Sequence, residues 1–210
     1  MEQTNGLKNI HDRNHFLKIE FVKKITDYFH LNMFEISYLD TNARKRIWHF
    51  ASRNDSPKCV SGHFETPDAV VIVPYHAEQQ KMVIIKEFRV PLGDYQYGFP
   101  AGLVDNGETV KTSVKRELKE ETGLMVTRIN RLSPPIYSSS GMTDESIVMA
   151  YVECSGQPSK EGNTRSEDID TIFISPYEAR ALCSNRQIKC DVKTWLVLSS
   201  YGETGRVVGC

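Results

Sequence analysis

The chain has 210 residues, 40% of them apolar and 25% charged, with a formal net charge of −1. That is long enough for one domain with a sizeable core plus an added element, and the composition excludes a disordered, fibrous or disulfide-scaffold protein. The near-zero charge, with no dense Lys/Arg tract, gives no footprint for a nucleic acid, no apolar run reaches the ~20 residues of a membrane span, and the polar start MEQTNGLKN lacks a signal-peptide core. Five scattered cysteines, Cys59, Cys154, Cys183, Cys190 and Cys210, with no C-x-x-C pair, argue against a disulfide framework or a zinc site and for a reducing cytoplasm.

In chain order, Asn14 to Asp27 is compatible with either a helix or a strand. Phe34 to Leu39 alternates apolar and polar, and Arg46 to Phe50 follows a polar turn at Asp40-Thr41-Asn42-Ala43, so a β-hairpin is expected. Asn54-Asp55-Ser56-Pro57 breaks the chain, which divides it into a β-rich N-terminal extension (1–58) and a main domain (59–210). Ala69 to Pro74 and Met82 to Ile85 are short continuous apolar runs, read as buried strands on either side of a turn at His76 to Gln80. Past a helix around Glu117, Ser133-Pro134-Pro135 and Ser138 to Thr143 frame loops. Ser146 to Val152 reads as strand, Ser155 to Ser166 as a mobile polar loop, and Ile169 to Ile174 as strand. Ser175-Pro176-Tyr177-Glu178 is a capping box with proline at the first helical position. A last helix starts at Asp191 and carries Val192, Trp195, Leu196 and Ser199 on one face. This order predicts an α+β protein, layered α/β/α around a mixed central sheet.

The most informative stretch runs from Gly102 to Leu124, GLVDNGETVKTSVKRELKEETGL. Gly102, Glu108, Arg116, Glu117, Glu120, Glu121 and Gly123 fit the pattern G-x5-E-x7-R-E-U-x-E-E-x-G-U, where U is aliphatic. At average usages such a match arises by chance about once in 10^8 starting points. Glu117, Glu120 and Glu121 are spaced i, i+3 and i+4, which puts three mutually repelling carboxylates on one side of a helix. An oxygen-only set of that kind suits Mg2+ or Mn2+, ions that share their coordination sphere with substrate phosphates. Val114 and Leu118 form the adjoining apolar stripe, and Gly123 sits where a left-handed cap favours glycine.

This pattern resembles the Nudix box, the signature of hydrolases that cleave a nucleoside diphosphate linked to another moiety. The flanks, Lys86-Glu87-Phe88-Arg89 and Phe99-Pro100-Ala101-Gly102, resemble the ADP-ribose pyrophosphatase group, which typically has a QFR- or QYR-like element and then E-L/F-P-A-G. The likeness covers roughly Glu35 to the C terminus and is strongest from Val83 to Val126. It implies a Nudix fold with an N-terminal antiparallel sheet that builds a homodimer. It also implies Glu117 and Glu121 as principal ligands of two or three Mg2+ ions (Mn2+ as a substitute), Glu120 as ligand or orienter, and the Ala101 carbonyl as a further oxygen. Arg116 and Glu108 would orient these carboxylates. Glu167, in Ser166-Glu167-Asp168-Ile169, matches the group's general base or extra ligand, with Glu145 as runner-up; solvated loop charges are the rival reading of both. Arg89 is the expected phosphate contact, against a plain surface ion pair. Trp48 and Arg53 match an aromatic-plus-arginine pattern that binds adenine, against core or interface packing for Trp48.

Two departures bear on specificity: Gly98 stands where the group has glutamate, and His49 where some relatives have an acid. The implied activity is Mg2+-dependent cleavage of ADP-ribose or a related nucleoside diphosphate sugar. The alternatives are a GDP-mannose or other sugar-nucleotide pyrophosphatase and a non-catalytic ADP-ribose sensor, the latter disfavoured by the intact set of box carboxylates. NADH pyrophosphatases carry a cysteine quartet that is lacking here.

Overall fold

A computed structural model describes residues 17–164 and 167–207. They form two compact units, one running up to His63 and including Ser138–Glu145, the other Phe64–Tyr137 with the chain from Ser146 onward.

In the first unit, β1 (Lys18–Lys24), β2 (Asn32–Leu39) and β3 (Lys45–Ser52) form an antiparallel meander in that order. The expected hairpin is β2–β3, with Phe34 opposite Phe50 and Ile36 opposite Trp48. Its turn is closed by Asp40, whose Oδ1 accepts from the Asn42 and Arg44 amides at 2.9 and 3.0 Å while Ala43 takes a φ of +57°. The ambiguous segment resolves as strand β1; Asn14 to Phe16 lie outside the described residues. A single helical turn, α1 (Lys58–Ser61), follows Pro57.

In the second unit the elements are β4 (Ala69–His76), β5 (Lys81–Arg89), β6 (Asp94–Gly98), β7 (Ala101–Leu103), α2 (Val110–Thr122), β8 (Met125–Leu132), β9 (Ile136–Tyr137), β10 (Ser146–Ser155), β11 (Ile169–Ile174), α3 (Pro176–Ser184) and α4 (Val192–Thr204). The sheet runs β11-β5-β4-β10-β8, with β6 beside β5, β7 beside β4 and β9 beside β10. It is mixed because β4 and β10 pair parallel, from Ala69 opposite Ile147 to His76 opposite Cys154, among otherwise antiparallel ladders.

The period-2 alternation of β4 sets the layers. Val70 and Ile72 pack with Val114 and Leu118 of α2, whereas Val71 and Val73 pack with Ala179 of α3 and with Leu198 and Tyr201 of α4. Burying each such aliphatic side chain stabilises the fold by roughly 1.5–3 kcal/mol, so continuous apolar strands covered on both faces give the α/β/α sandwich expected.

Val192, Trp195 and Leu196 of α4 share an exposed face, and the inward face carries Thr194, Leu198, Tyr201 and Gly202. Gly202 allows close helix contact: a Cβ there would lie 3.1 Å from the Arg180 amide nitrogen, and Arg180 Nη2 donates to the Gly202 carbonyl at 2.6 Å. Two described residues of the loop after β10 lie against α2. The Ser159 amide donates to the Thr122 carbonyl at 3.0 Å, and Gly162 lies so near α2 that a Cβ would meet the Glu120 carbonyl oxygen at 2.5 Å. Arg165 and Ser166 of that loop lie outside the described residues.

The capping box at Ser175 and the Asp191 cap of α4 are both present. No disulfide joins the four described cysteines, and Cys210 lies outside the described residues. No described helix is long and apolar enough to cross a membrane.

Candidate active site

The box folds into a strand, a turn and a helix that bring its carboxylates against β7. Thr109 caps α2 by accepting from the Thr112 amide at 3.2 Å, and Gly123 closes it with a φ of +76°. Between them, Glu117 and Glu121 are buried, whereas Glu120, one position round the helix, is half exposed. Gly102 is required by this packing: a Cβ on it would lie 1.9 Å from Glu117 Oε1. One residue earlier, the Ala101 amide donates to Glu121 Oε2 at 3.0 Å.

Arg116 organises the flank of this cluster. Its Nε and Nη2 donate to the two oxygens of Glu108 at 3.0 and 2.8 Å, and its Nη1 bridges Glu117 Oε1 at 2.7 Å and Glu120 Oε2 at 3.2 Å. Nη2 also donates to the Leu103 carbonyl at 3.0 Å. Arg116 and the Ser113 hydroxyl together hold the Glu108 carboxyl down at about 2. Burial raises the Glu117 carboxyl against the pull of Arg116, with Glu120 and Asp105 adding repulsion.

Glu121 is the extreme case. Burial pushes its carboxyl up to about 9; the Ala101 amide opposes the shift, while the charges of Glu117, Glu87 and Glu167 add to it. Glu167 therefore stands within electrostatic reach of the box. Its Oε2 accepts from the Thr164 amide at 2.8 Å, and its own amide donates to the Thr164 carbonyl at 3.1 Å. Glu87 was not singled out as a site residue in the sequence. Its carboxyl is raised by burial, lowered by Arg89 and raised by Glu167. The available signal was the glutamate of Lys86-Glu87-Phe88-Arg89 in place of the usual glutamine, two residues from Arg89 and hence on the same strand face.

Among the described residues no three of these side chains already converge on one point, and Glu117 and Glu120 are turned onto Arg116. The donor set nevertheless fits a hard divalent cation. All donors are oxygens, and the most buried one, Glu121, is faced by three further carboxylates and a single neutral amide.

Arg89 makes the ion pair named as its rival role, Nη2 to Glu87 Oε2 at 3.1 Å, yet about half of it stays exposed. It also lines a cleft of about 550 Å³ with Leu92, Gln96, Ile188 and Lys189. The other predicted residues belong to the first unit. Trp48 is half exposed and donates from Nε1 to the Gly141 carbonyl at 3.2 Å. Arg53 Nε donates to Glu145 Oε1 at 2.9 Å, and the Ser138 hydroxyl to Glu145 Oε2 at 3.2 Å, so both oxygens of the runner-up base are engaged.

A family model of the NUDIX domain matches residues 65–191, more than half of the chain, and the chain belongs to that family. Within it, the likeness to the ADP-ribose pyrophosphatase group is borne out. The chain is 30% identical to the ADP-ribose pyrophosphatase of Saccharomyces cerevisiae over 138 residues, which are 65% of this chain and 58% of the yeast protein. It is 27% identical to the ADP-sugar pyrophosphatase of Mus musculus over 132 residues, 61% of this chain and 56% of the mouse protein. The match thus spans less than two thirds of the length of these curated relatives. A crystal structure of an ADP compounds hydrolase shares the fold, with a TM-score of 0.66 at 18% identity over 90% of this chain and 95% of that one.

Proposed function

We propose that the protein hydrolyses the diphosphate of ADP-ribose, or of a related nucleoside diphosphate sugar, to a nucleoside monophosphate and a sugar phosphate in the presence of Mg2+. The observation that carries this reading is the pair of buried carboxylates, Glu117 and Glu121, seated against Gly102 and Ala101 in an intact box. Glu117, Glu121, Glu120 and the Ala101 carbonyl would hold the cation. When bound, Mg2+ neutralises diphosphate charge and makes a water more acidic.

The chain's own residues do the rest. Arg116, fixed by Glu108, sets the orientation of Glu117 and Glu120. Arg89 offers the free edge of its guanidinium to phosphate oxygens. Glu167 takes the proton as a water oxygen bonds to phosphorus and the bridging P–O bond breaks, leaving a phosphate on each product. Trp48 and Arg53 serve the base, stacking on which contributes about 1–3 kcal/mol. Phe21 and Ile47, exposed on the N-terminal sheet, support its use as the surface of a two-fold homodimer; sedimentation as a 23.9 kDa monomer at micromolar concentration would remove that part. Five scattered cysteines with no C-x-x-C pair support a reducing, cytoplasmic setting.

Gly98 and His49 favour keeping GDP-mannose and other sugar nucleotides as the second reading. A panel of nucleoside diphosphate sugars assayed with Mg2+ for released phosphomonoesters tests both. ADP-ribose turned over fastest supports the proposal, a different leading sugar nucleotide moves the substrate, and tight ADP-ribose binding with no product overturns hydrolysis in favour of a sensor.

A further inference from the structure

We infer that Tyr95 is a positioning residue for Glu167, acting through Asp168; this rests on the proton-accepting role proposed for Glu167. Three neighbouring strands carry the case. On one side of β5, Tyr95 of β6 lies directly opposite Phe88. On the other side, Ile169 of β11 lies opposite Glu87, and the Phe88 amide donates to the Asp168 carbonyl at 3.1 Å. Tyr95, Phe88 and Asp168 therefore form one row across the sheet. The Tyr95 hydroxyl spans that row and donates to Asp168 Oδ2.

The tyrosine ring is braced for this reach. Phe88 meets it edge-on, with ring centroids 5.5 Å apart at 78°, and Lys86 Nζ lies 4.6 Å from its centroid. The edge-on phenylalanine and the cation hold the ring, and the ring holds the hydroxyl.

Alternation decides what the clip does. Along β5, Ile85, Glu87 and Arg89 share one face, while Lys86 and Phe88 share the other. The Tyr95–Asp168 bond thus lies on the face of Phe88. The next residue back, Glu167, lies just before the strand, and its charge presses on Glu87 and Glu121, which belong to the other side of the sheet. The clip holds Asp168, the residue directly beside Glu167, from the face of Phe88. Upstream, Gly162 against Glu120 and the two Thr164–Glu167 hydrogen bonds supply the second hold.

Tyr95→Phe removes only the hydroxyl, so ring packing and fold are retained. With ADP-ribose, or the sugar nucleotide that the panel ranks first, at saturating Mg2+, kcat should fall by roughly 10- to 100-fold, the scale of a small displacement of a reacting group, with KM unchanged within about twofold. Asp168→Asn should give the same pattern. The decisive readout is the double variant: Tyr95→Phe in a Glu167→Gln background should cause no further loss, because the group it positions is already gone. A Tyr95→Phe loss that multiplies onto Glu167→Gln overturns the inference, as does normal turnover of Tyr95→Phe beside a crippled Glu167→Gln. Near-wild-type Glu167→Gln overturns the role of Glu167 itself and the inference with it.

Discussion

On one flank of α2, Glu108 receives two hydrogen bonds from Arg116 and one from Ser113, and its carboxyl is held at about 2. Against β7, Glu121 receives the Ala101 amide alone, faces three carboxylates, and is pushed up to about 9. The two residues are of one chemical type and flank the same cluster: Arg116 also grips Glu117 and Glu120, and the charge of Glu117 presses on Glu121. The difference lies in where the neutralising charge comes from. Glu108 has its cation written into the chain, so it stays ionised at neutral pH and can serve as a fixed post for Arg116. Glu121 has none among the described residues, so its ionised form gains stability when a positive charge arrives from outside. The first arrangement builds a scaffold and the second a binding site.

The largest expected effect comes from removing the unneutralised acid. Glu121→Gln keeps the shape and the Ala101 hydrogen bond, so circular dichroism should be unchanged while kcat/KM falls by about 10^3-fold or more, the loss of several kcal/mol of charge stabilisation. Near-normal activity at saturating Mg2+ would erase the distinction between the two carboxylates. Glu108→Gln loosens the post, and Mg2+ affinity should drop by about 10- to 100-fold as an orienting contact is lost, measured as the Mg2+ dependence of turnover. Gly102→Ala puts a methyl group onto the Glu117 carboxylate. Titration calorimetry should show Mg2+ affinity weakened by about 10-fold, in the lower part of the range for lost supporting contacts.

Proton linkage gives a subtler test. Because Glu121 is raised in the folded protein, the metal-free fold loses stability as pH rises from the ordinary carboxylate range toward about 9. Mg2+ binding, which needs the ionised form, should strengthen over the same window with release of protons, seen by comparing calorimetry in buffers of different ionisation enthalpy. The smallest effect on catalysis is expected at Gly123→Ala, which strains a left-handed cap and crowds Ser159. Thermal melting should show a loss of more than about 1 kcal/mol of stability, with kcat little changed.

What could be read from the sequence depended on whether the information was local. Glu117, Glu120, Glu121 and their glycines lie within one turn-helix-turn, so spacing alone placed them together. Helix caps at Ser175 and Asp191 were legible for the same reason. The inward face of α4 left little apolar signal, because close contact with α3 favours the small Gly202 there while Trp195 and Leu196 lie on the exposed side. Strand β8 left little pattern, since it is an edge strand pairing only with β10 and carries Arg128 and Arg131 on an exposed surface. Glu87 and the Tyr95–Asp168 contact depend on the register of β6, β5 and β11, which no single segment encodes.

The parallel pairing of β4 with β10 has a kinetic consequence. Its partners are roughly eighty residues apart in the chain, and β5, β6, β7, α2 and β8 all lie in the loop that this pairing closes. Closing so long a loop costs little more free energy than closing a shorter one, about 0.6 kcal/mol per doubling, but pairings of this range form slowly. A fragment ending before Ser146 would contain every residue of the box and still lack the strand that completes the sheet beneath α2. The motif is thus a sentence that acquires meaning only when a distant part of the chain has been laid beside it.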